Sequence, residues 1–189
     1  MQKILSGSAR GRSLKNLPDH LGIRPILSRI KKSIFDILRP RMAGCRFLDL
    51  YAGTGSVGLE ALSQGARYCS FVEKRADCLR LLNQNLEKLG FINQAEAFRL
   101  DVLGNLSSLG EPFDIIFMGP PYVDDLKNAL ALTVPTITNI TKLRLLKSEG
   151  IIVAQHHKKE PMSDLPIEFQ IRRSEKYGDT IVDFVGHRP

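Results

Sequence analysis

Asp49, Glu73 and Asp101 each close a short apolar run, and the stretch after the first reads Asp49-Leu-Tyr51-Ala-Gly53-Thr-Gly55-Ser-Val-Gly58. Glycines let a backbone turn sharply and approach a ligand closely. A helix starting near Ser56 would aim its amide dipoles at an anionic group lying there. Glu73 follows Gly53 by twenty positions, a spacing at which an acid can accept the hydroxyls of a ribose. Carboxylates at the ends of three consecutive strands would line one rim of a parallel sheet, where open sheets bind their ligands. A nucleotide-like cofactor fits that rim. Each acid alone reads equally well as a helix cap or a surface charge; the shared register of all three points to a site.

A fourth apolar run, FDIIFM at 113–118, leads into Gly119-Pro120-Pro121-Tyr122. Two prolines stiffen this turn, and an aromatic behind them can stack on a flat base, although Tyr122 also reads as a plain core aromatic. Two cofactors suit the glycine loop. A dinucleotide needs the helix start for its pyrophosphate, whereas S-adenosylmethionine carries a sulfonium, an ammonium and a carboxylate, so the acid that opens the loop, Asp49, suits it. A double-proline turn has no evident part in hydride transfer, which favours S-adenosylmethionine. His156 and His157, beside Lys158 and Lys159, read as a polar strand exit rather than a catalytic pair.

The elements that must position these residues alternate. Apolar runs at 46–51, 68–73, 95–101, 113–118 and 150–156 are candidate strands, and helical patterns cover 56–64, 75–89 and 124–147. That order predicts a parallel sheet with helices on both faces. After Pro166, IEFQIRR and DTIVDFV flank SEKYG and predict a hairpin added at the sheet edge. A chain of 189 residues, 43% hydrophobic, has the size of one domain with a sizeable core. We expect a single domain over 1–189, with a basic arm and helix at 1–41 and a Rossmann-like core at 46–189. Cys45, Cys69 and Cys78 form no CxxC pair and have no histidine at zinc-ligand spacing, so buried free thiols are expected and no metal site is. No apolar run reaches membrane-span length and no signal-peptide core opens the chain; the expected location is the cytoplasm.

The formal charge is +7, and its distribution carries the information. Residues 1–41 hold ten Lys or Arg against Asp19 and Asp36, a local excess of +8, whereas the remaining 148 residues sum to −1. Such concentration points to a polyanion partner, with nucleic acid the natural candidate. Residues 1–24 read as an arm of short strand pieces and loops. From 25 to 38, Leu27, Ile30, Ile34, Ile37 and Leu38 recur at helical spacing, with Pro25 in the first turn and Pro40 closing the segment. Arg29, Lys31 and Lys32 fall off that stripe, which would leave them facing phosphates.

The chain as a whole resembles the RsmD-type 16S ribosomal RNA guanine-N(2) methyltransferases. SARGRSL at 8–14 resembles their basic arm, IRPILSRIKKSIFDIL at 23–38 their arginine-bearing first helix, and FLDLYAGTGSVGLEALSQGA at 47–66 their cofactor loop. FVEK at 71–74, the acid at 101, GPPY at 119–122 and YGDT at 177–180 follow in the same order. The resemblance implies a class I S-adenosylmethionine-dependent methyltransferase fold, a seven-stranded, mostly parallel sheet whose last strand is antiparallel. It implies that Asp49, Tyr51, Gly53 and Gly55 surround the methionine portion of the cofactor, Glu73 and Lys74 the ribose, and Asp101 with Val102 the adenine. Gly119, Pro120, Pro121 and Tyr122 would face the substrate base, and Arg10, Arg12, Arg24, Arg29 and Lys32 the nucleic acid. The expected partner is ribosomal RNA within a small-subunit particle, bound by a monomer.

One residue departs from the pattern. Enzymes that methylate exocyclic amines of nucleobases place Asp or Asn before the two prolines, and Gly119 stands there instead. The guanine amino nitrogen is a poor nucleophile because its lone pair is delocalised into the ring, and an acceptor beside the amine helps to localise that pair. Losing it costs about 1.5–3 kcal/mol, while positioning by the pocket remains. A slowed enzyme is expected, unless Asp124, Asp125 or a water replaces the acceptor. A non-catalytic relative that binds RNA and cofactor, and a nicotinamide-dependent oxidoreductase, are the alternatives.

Overall fold

The computed structural model describes residues 2–18, 26–124 and 126–189. Arg24, Pro25 and Asp125 therefore lie outside the described residues. Helix α1 (Ser28–Met42) precedes β1 (Arg46–Leu50), α2 (Ser56–Ser63), β2 (Tyr68–Val72), α3 (Ala76–Leu89) and β3 (Ala95–Phe98). Then follow β4 (Phe113–Met118), α4 (Thr133–Lys142), β5 (Leu146–His157), β6 (Phe169–Tyr177) and β7 (Thr180–His187). The seven strands form one sheet in the order β3-β2-β1-β4-β5-β7-β6. β7 alone runs antiparallel, inserted between β5 and β6. This is the class I methyltransferase fold implied by the sequence, and the hairpin at the edge is β6–β7.

The sheet divides two apolar clusters. Ile30, Ile34, Phe35 and Leu38 of α1, with Val57 and Leu62 of α2 and Leu82 and Leu86 of α3, pack on Phe47, Phe71, Ile115 and Phe117 on one face. Ile137 and Ile140 of α4 pack on Leu48, Ile116, Met118 and Ile152 on the other. Successive strand residues point to opposite faces, so strands covered on both sides need continuous apolar runs. FDIIFM meets that need, with five of its six residues buried. Each fully buried Phe or Leu in these layers contributes roughly 1.5–3 kcal/mol.

Four expectations need correction. The helical pattern at 124–147 yields only Thr133–Lys142, because Asp124 Oδ1 accepts from the amides of Leu126 and Asn128 and turns the chain before any helix can start. Leu146 and Lys147, at the end of that pattern, instead begin β5. The third strand ends at Phe98, so Asp101 sits in a turn beyond it. Pro40 does not close α1 but lies inside its last turn; lacking an amide, it forgoes the bond to the Asp36 carbonyl, and the helix ends soon after, at Met42.

The fourth correction concerns Lys31, which is 2% exposed rather than solvated. Its Nζ lies 3.1 Å from the carboxylate of Glu60, itself 0% exposed, and donates to the carbonyl oxygen of Lys3 at 3.0 Å. The same Glu60 accepts from the amides of Leu5 and Ser6 at 2.8 and 2.9 Å. One buried ion pair thus ties the arm, α1 and α2 together. Burial pushes the Lys31 pKa down, against the pull of Glu60.

Candidate functional site

β1 delivers Asp49 to the carboxyl rim almost wholly buried, at 1% exposure, with Oδ2 accepting the Gly58 amide at 2.8 Å. Desolvation raises its pKa to about 7, against the lowering effect of the Gly58 hydrogen bond, with the Glu73 charge adding to the rise. The chain then turns through Tyr51, at φ 59°, and Gly55, at φ 87°, a left-handed region that only glycine enters without strain. A Cβ on Gly55 would lie 2.2 Å from Leu82 Cδ1, and one on Gly58 would lie 2.3 Å from the Phe71 ring. These hydrogens-only positions let α2 seat directly on β2 and α3, so its first turn opens on the rim.

Glu73 follows β2 and accepts the Gly53 amide on one oxygen and the Arg75 amide on the other, both at 2.8 Å. Each carboxylate oxygen keeps a lone pair for a hydroxyl. Lys74 is exposed and pairs at 3.5 Å with Asp101, whose Oδ1 caps the Leu103 amide. Val102 beside it is buried, its carbonyl held by Asn139 at 2.8 Å. Tyr51 donates its hydroxyl to Thr136 at 2.8 Å, since Thr136 donates onward to the Leu132 carbonyl; burial raises its pKa to about 12.

Past β4, Gly119 is half-buried, Pro120 buried and Pro121 exposed. Tyr122 is half-buried, with its hydroxyl donating to Thr180 at 3.3 Å and accepting from Gln155 Nε2 at 3.1 Å. The ring lies 5.8 Å from that of His157. Asp124 cannot stand in for the missing acid at 119, because its oxygens serve Leu126 and Asn128 within its own turn. A cleft joins the two halves of the site, lined by Asp49, Tyr51, Gly53 and Ser56 on the loop side and Phe117, Gly119 and Gln155 on the turn side. The arm closes it with Gln2, Asn16 and Leu17.

Several of these residues had no local signal. Gln155 and Asn16 reach the site only through the fold, and Thr180 closes the YGDT run. Asn85 had one: a polar residue on the apolar stripe of α3, fully buried, which binds the Lys15 backbone and the Thr54 carbonyl and so stitches arm to loop. His156 and His157 do end β5 as a polar strand exit, but His156 is buried there. It is 2% exposed and pairs through Nε2 with Asp183 at 2.9 Å. Burial disfavours its charged form, but the Asp183 hydrogen bond and its other partners carry the net pKa upward. The three cysteines are free and buried.

The basic residues spread over two surfaces. Arg10 and Arg12 are exposed on the arm, though Arg12 also donates to the Lys88 and Leu89 carbonyls at the end of α3. Arg29 and Lys32 line a separate surface groove with Arg173 of β6. Among the described residues no helix is long and apolar enough to cross a membrane.

The family model for "Conserved hypothetical protein 95" matches residues 2–186. The chain belongs to this family. The RsmD-type resemblance in its motifs holds: "Putative rRNA methyltransferase YlbH" of Bacillus subtilis is 33% identical over 94% of this chain and 95% of the relative. "Ribosomal RNA small subunit methyltransferase D" of Escherichia coli K12 is 28% identical over 93% of this chain and 85% of its own. A solved structure, "Putative methyltransferase yhhF from Escherichia coli", shares the fold with a TM-score of 0.82 at 24% identity, covering 98% of this chain and 97% of that one.

Proposed function

We propose that this family member is an S-adenosylmethionine-dependent ribosomal RNA methyltransferase acting on the exocyclic amine of a guanine in the small subunit. The observation that carries it is the cleft running from the buried Asp49 carboxylate to Gly119, the first residue of the turn after β4. The donor set suits a cationic, ribose-bearing ligand: Asp49 lines the cleft, Glu73 stands next to it on the Gly53 amide, and no Lys or Arg lines the cleft among the described residues. A pyrophosphate would meet a buried carboxylate there with no cation to offset it, which disfavours a nicotinamide dinucleotide.

When bound, S-adenosylmethionine supplies the methyl group. Asp49 would face its cationic end, Glu73 would accept its ribose hydroxyls, and Asp101 with Val102 would border its adenine. Tyr122, pinned through its hydroxyl by Thr180 and Gln155, offers a ring face to the base, and Pro120 and Pro121 keep the turn rigid. Arg10, Arg29 and Lys32 hold phosphates. The chain works as one domain, as a cytoplasmic monomer on a small-subunit particle. Gly119 favours a second reading, a binding-only relative, and one experiment separates the two. Purified protein is incubated with methyl-labelled S-adenosylmethionine and unmodified small-subunit particles, and the labelled nucleoside is mapped. N(2)-methylguanosine in the small-subunit RNA is expected. Cofactor binding without any transfer would establish the second reading, and label on protein or DNA alone would refute both.

A further inference from the structure

The acid missing at position 119 leaves the target amine short of an acceptor, and the strand beside it holds one. β4 and β5 run parallel with Met118 opposite Ala154, so Gly119 and Gln155 each follow that pair at the carboxyl rim. Both line the cleft that Asp49 lines. They also share a face. Phe117 and Val153, two residues back on each strand, belong to the same apolar cluster as Phe47, and strand side chains alternate with a period of two.

The Gln155 amide is oriented by its bond to Tyr122. Its Nε2 donates to the Tyr122 hydroxyl, which donates in turn to Thr180, so the amide oxygen is turned away from that chain of bonds. Gln155 Oε1 is buried and has no hydrogen-bond partner among the described residues. Buried polar atoms are nearly always paired, and an orphan at a cleft wall calls for a ligand donor. On the proposed function, an amine is the donor delivered to this place.

We propose that Gln155 Oε1 accepts a hydrogen bond from the exocyclic amine of the target base, so that the acceptor has moved from β4 to its neighbour β5. This rests on the reading of the protein as a methyltransferase for such an amine. A neutral amide holds the N–H and orients the nitrogen lone pair without taking the proton. As the nitrogen–methyl bond forms and the sulfur–carbon bond of the donor breaks, the proton left on nitrogen passes to water.

The test compares the wild type with Gln155→Met, Gln155→Glu and Gly119→Asp/Gln155→Met, and with two short RNAs that differ only by guanosine or inosine at the target. Inosine lacks the amine. The wild type should bind the guanosine RNA about tenfold more tightly than the inosine RNA, and Gln155→Met should lose that preference. Gln155→Met should also lower kcat about tenfold or more with KM for S-adenosylmethionine unchanged. Gln155→Glu should retain activity, and Gly119→Asp should restore kcat in the Met background. Equal wild-type binding of the two RNAs, an unchanged kcat in Gln155→Met, or no rescue by Gly119→Asp would each overturn the inference, and the binding comparison needs no variant to fold. Wild-type protein that binds S-adenosylmethionine yet transfers nothing would instead overturn the proposed function.

Discussion

Replacing Asp49 by Asn should remove the part of the pH dependence of cofactor affinity that Asp49 supplies, while stabilising the empty protein at alkaline pH. Burial holds the Asp49 pKa at about 7, whereas an unfolded chain ionises it near 3.9. Below about pH 4 both states are protonated and the group contributes nothing to the pH dependence. Between about pH 4 and 7 only the unfolded state ionises, so native stability falls with rising pH. Above that window the native protein carries the full penalty, about 4 kcal/mol at 1.36 kcal/mol per unit. The Asp49→Asn side chain would keep the acceptor for the Gly58 amide but bury an unpaired NH₂, at about 1–3 kcal/mol. The variant should therefore gain roughly 1–3 kcal/mol over the wild type at pH 8 by denaturant unfolding. Cofactor binding reverses the sign. A sulfonium or ammonium beside Asp49 favours the carboxylate, and only about a tenth of the empty protein is ionised at pH 6 against about nine-tenths at pH 8. Calorimetric titration should thus find S-adenosylmethionine bound about tenfold more tightly at pH 8 than at pH 6, beyond the slope that Asp49→Asn retains from the ligand's own amine. Identical slopes in the two proteins would refute the placement of the cationic group at Asp49.

Gly119→Asp alone should raise kcat about tenfold, the difference between a charged and a neutral acceptor, in the labelled-methyl assay. Its Cβ would sit 3.4 Å from the Phe117 ring, an ordinary contact, so the melting temperature should stay within a few degrees. Lys31→Met leaves Glu60 buried without its cation and should cost about 3–5 kcal/mol, read by chemical denaturation; a smaller loss would mean that the Leu5 and Ser6 amides and the Gln64 side chain satisfy Glu60 without it. The His156–Asp183 pair stabilises the fold fully below the unfolded histidine pKa of about 6.5, and that contribution is lost as pH rises through the raised native pKa. Asp183→Asn should therefore destabilise the protein more at pH 5.5 than at pH 8.5, and equal losses would rule out a charged pair. Arg29→Ala and Lys32→Ala should each lower the slope of log affinity for RNA against log salt by about 0.7–0.9, measured by filter binding.

The site was legible wherever a residue's role depends on its own strand. Asp49 and Glu73 end or follow apolar runs, and the GTGSVG loop announces its turn through residue types that few other backbones require. Position was harder to read where a local signal had to be overruled. Lys31 falls off the apolar stripe of its helix by periodicity, yet it is buried because Glu60, far along the chain, meets it from α2. Leu126, Leu130 and Val134 offer helical spacing, but the Asp124 turn consumes the first of them before α4 begins. Asp101 looked like a strand end because the apolar pattern runs on through Leu100, whereas pairing with β2 stops at Phe98.

By itself, the sequence determined that strands and helices would alternate, that Asp49 and Glu73 would stand at the ends of their strands, and that the turn after FDIIFM would lack its acid. Those properties are written in periodicity, glycine and proline, which act over a few residues. Only the tertiary structure decided what stands beside Gly119. The crossover through α4 brings β5 parallel to β4, and that adjacency, set by long-range pairing rather than local preference, puts Gln155 on the same cleft wall as Gly119.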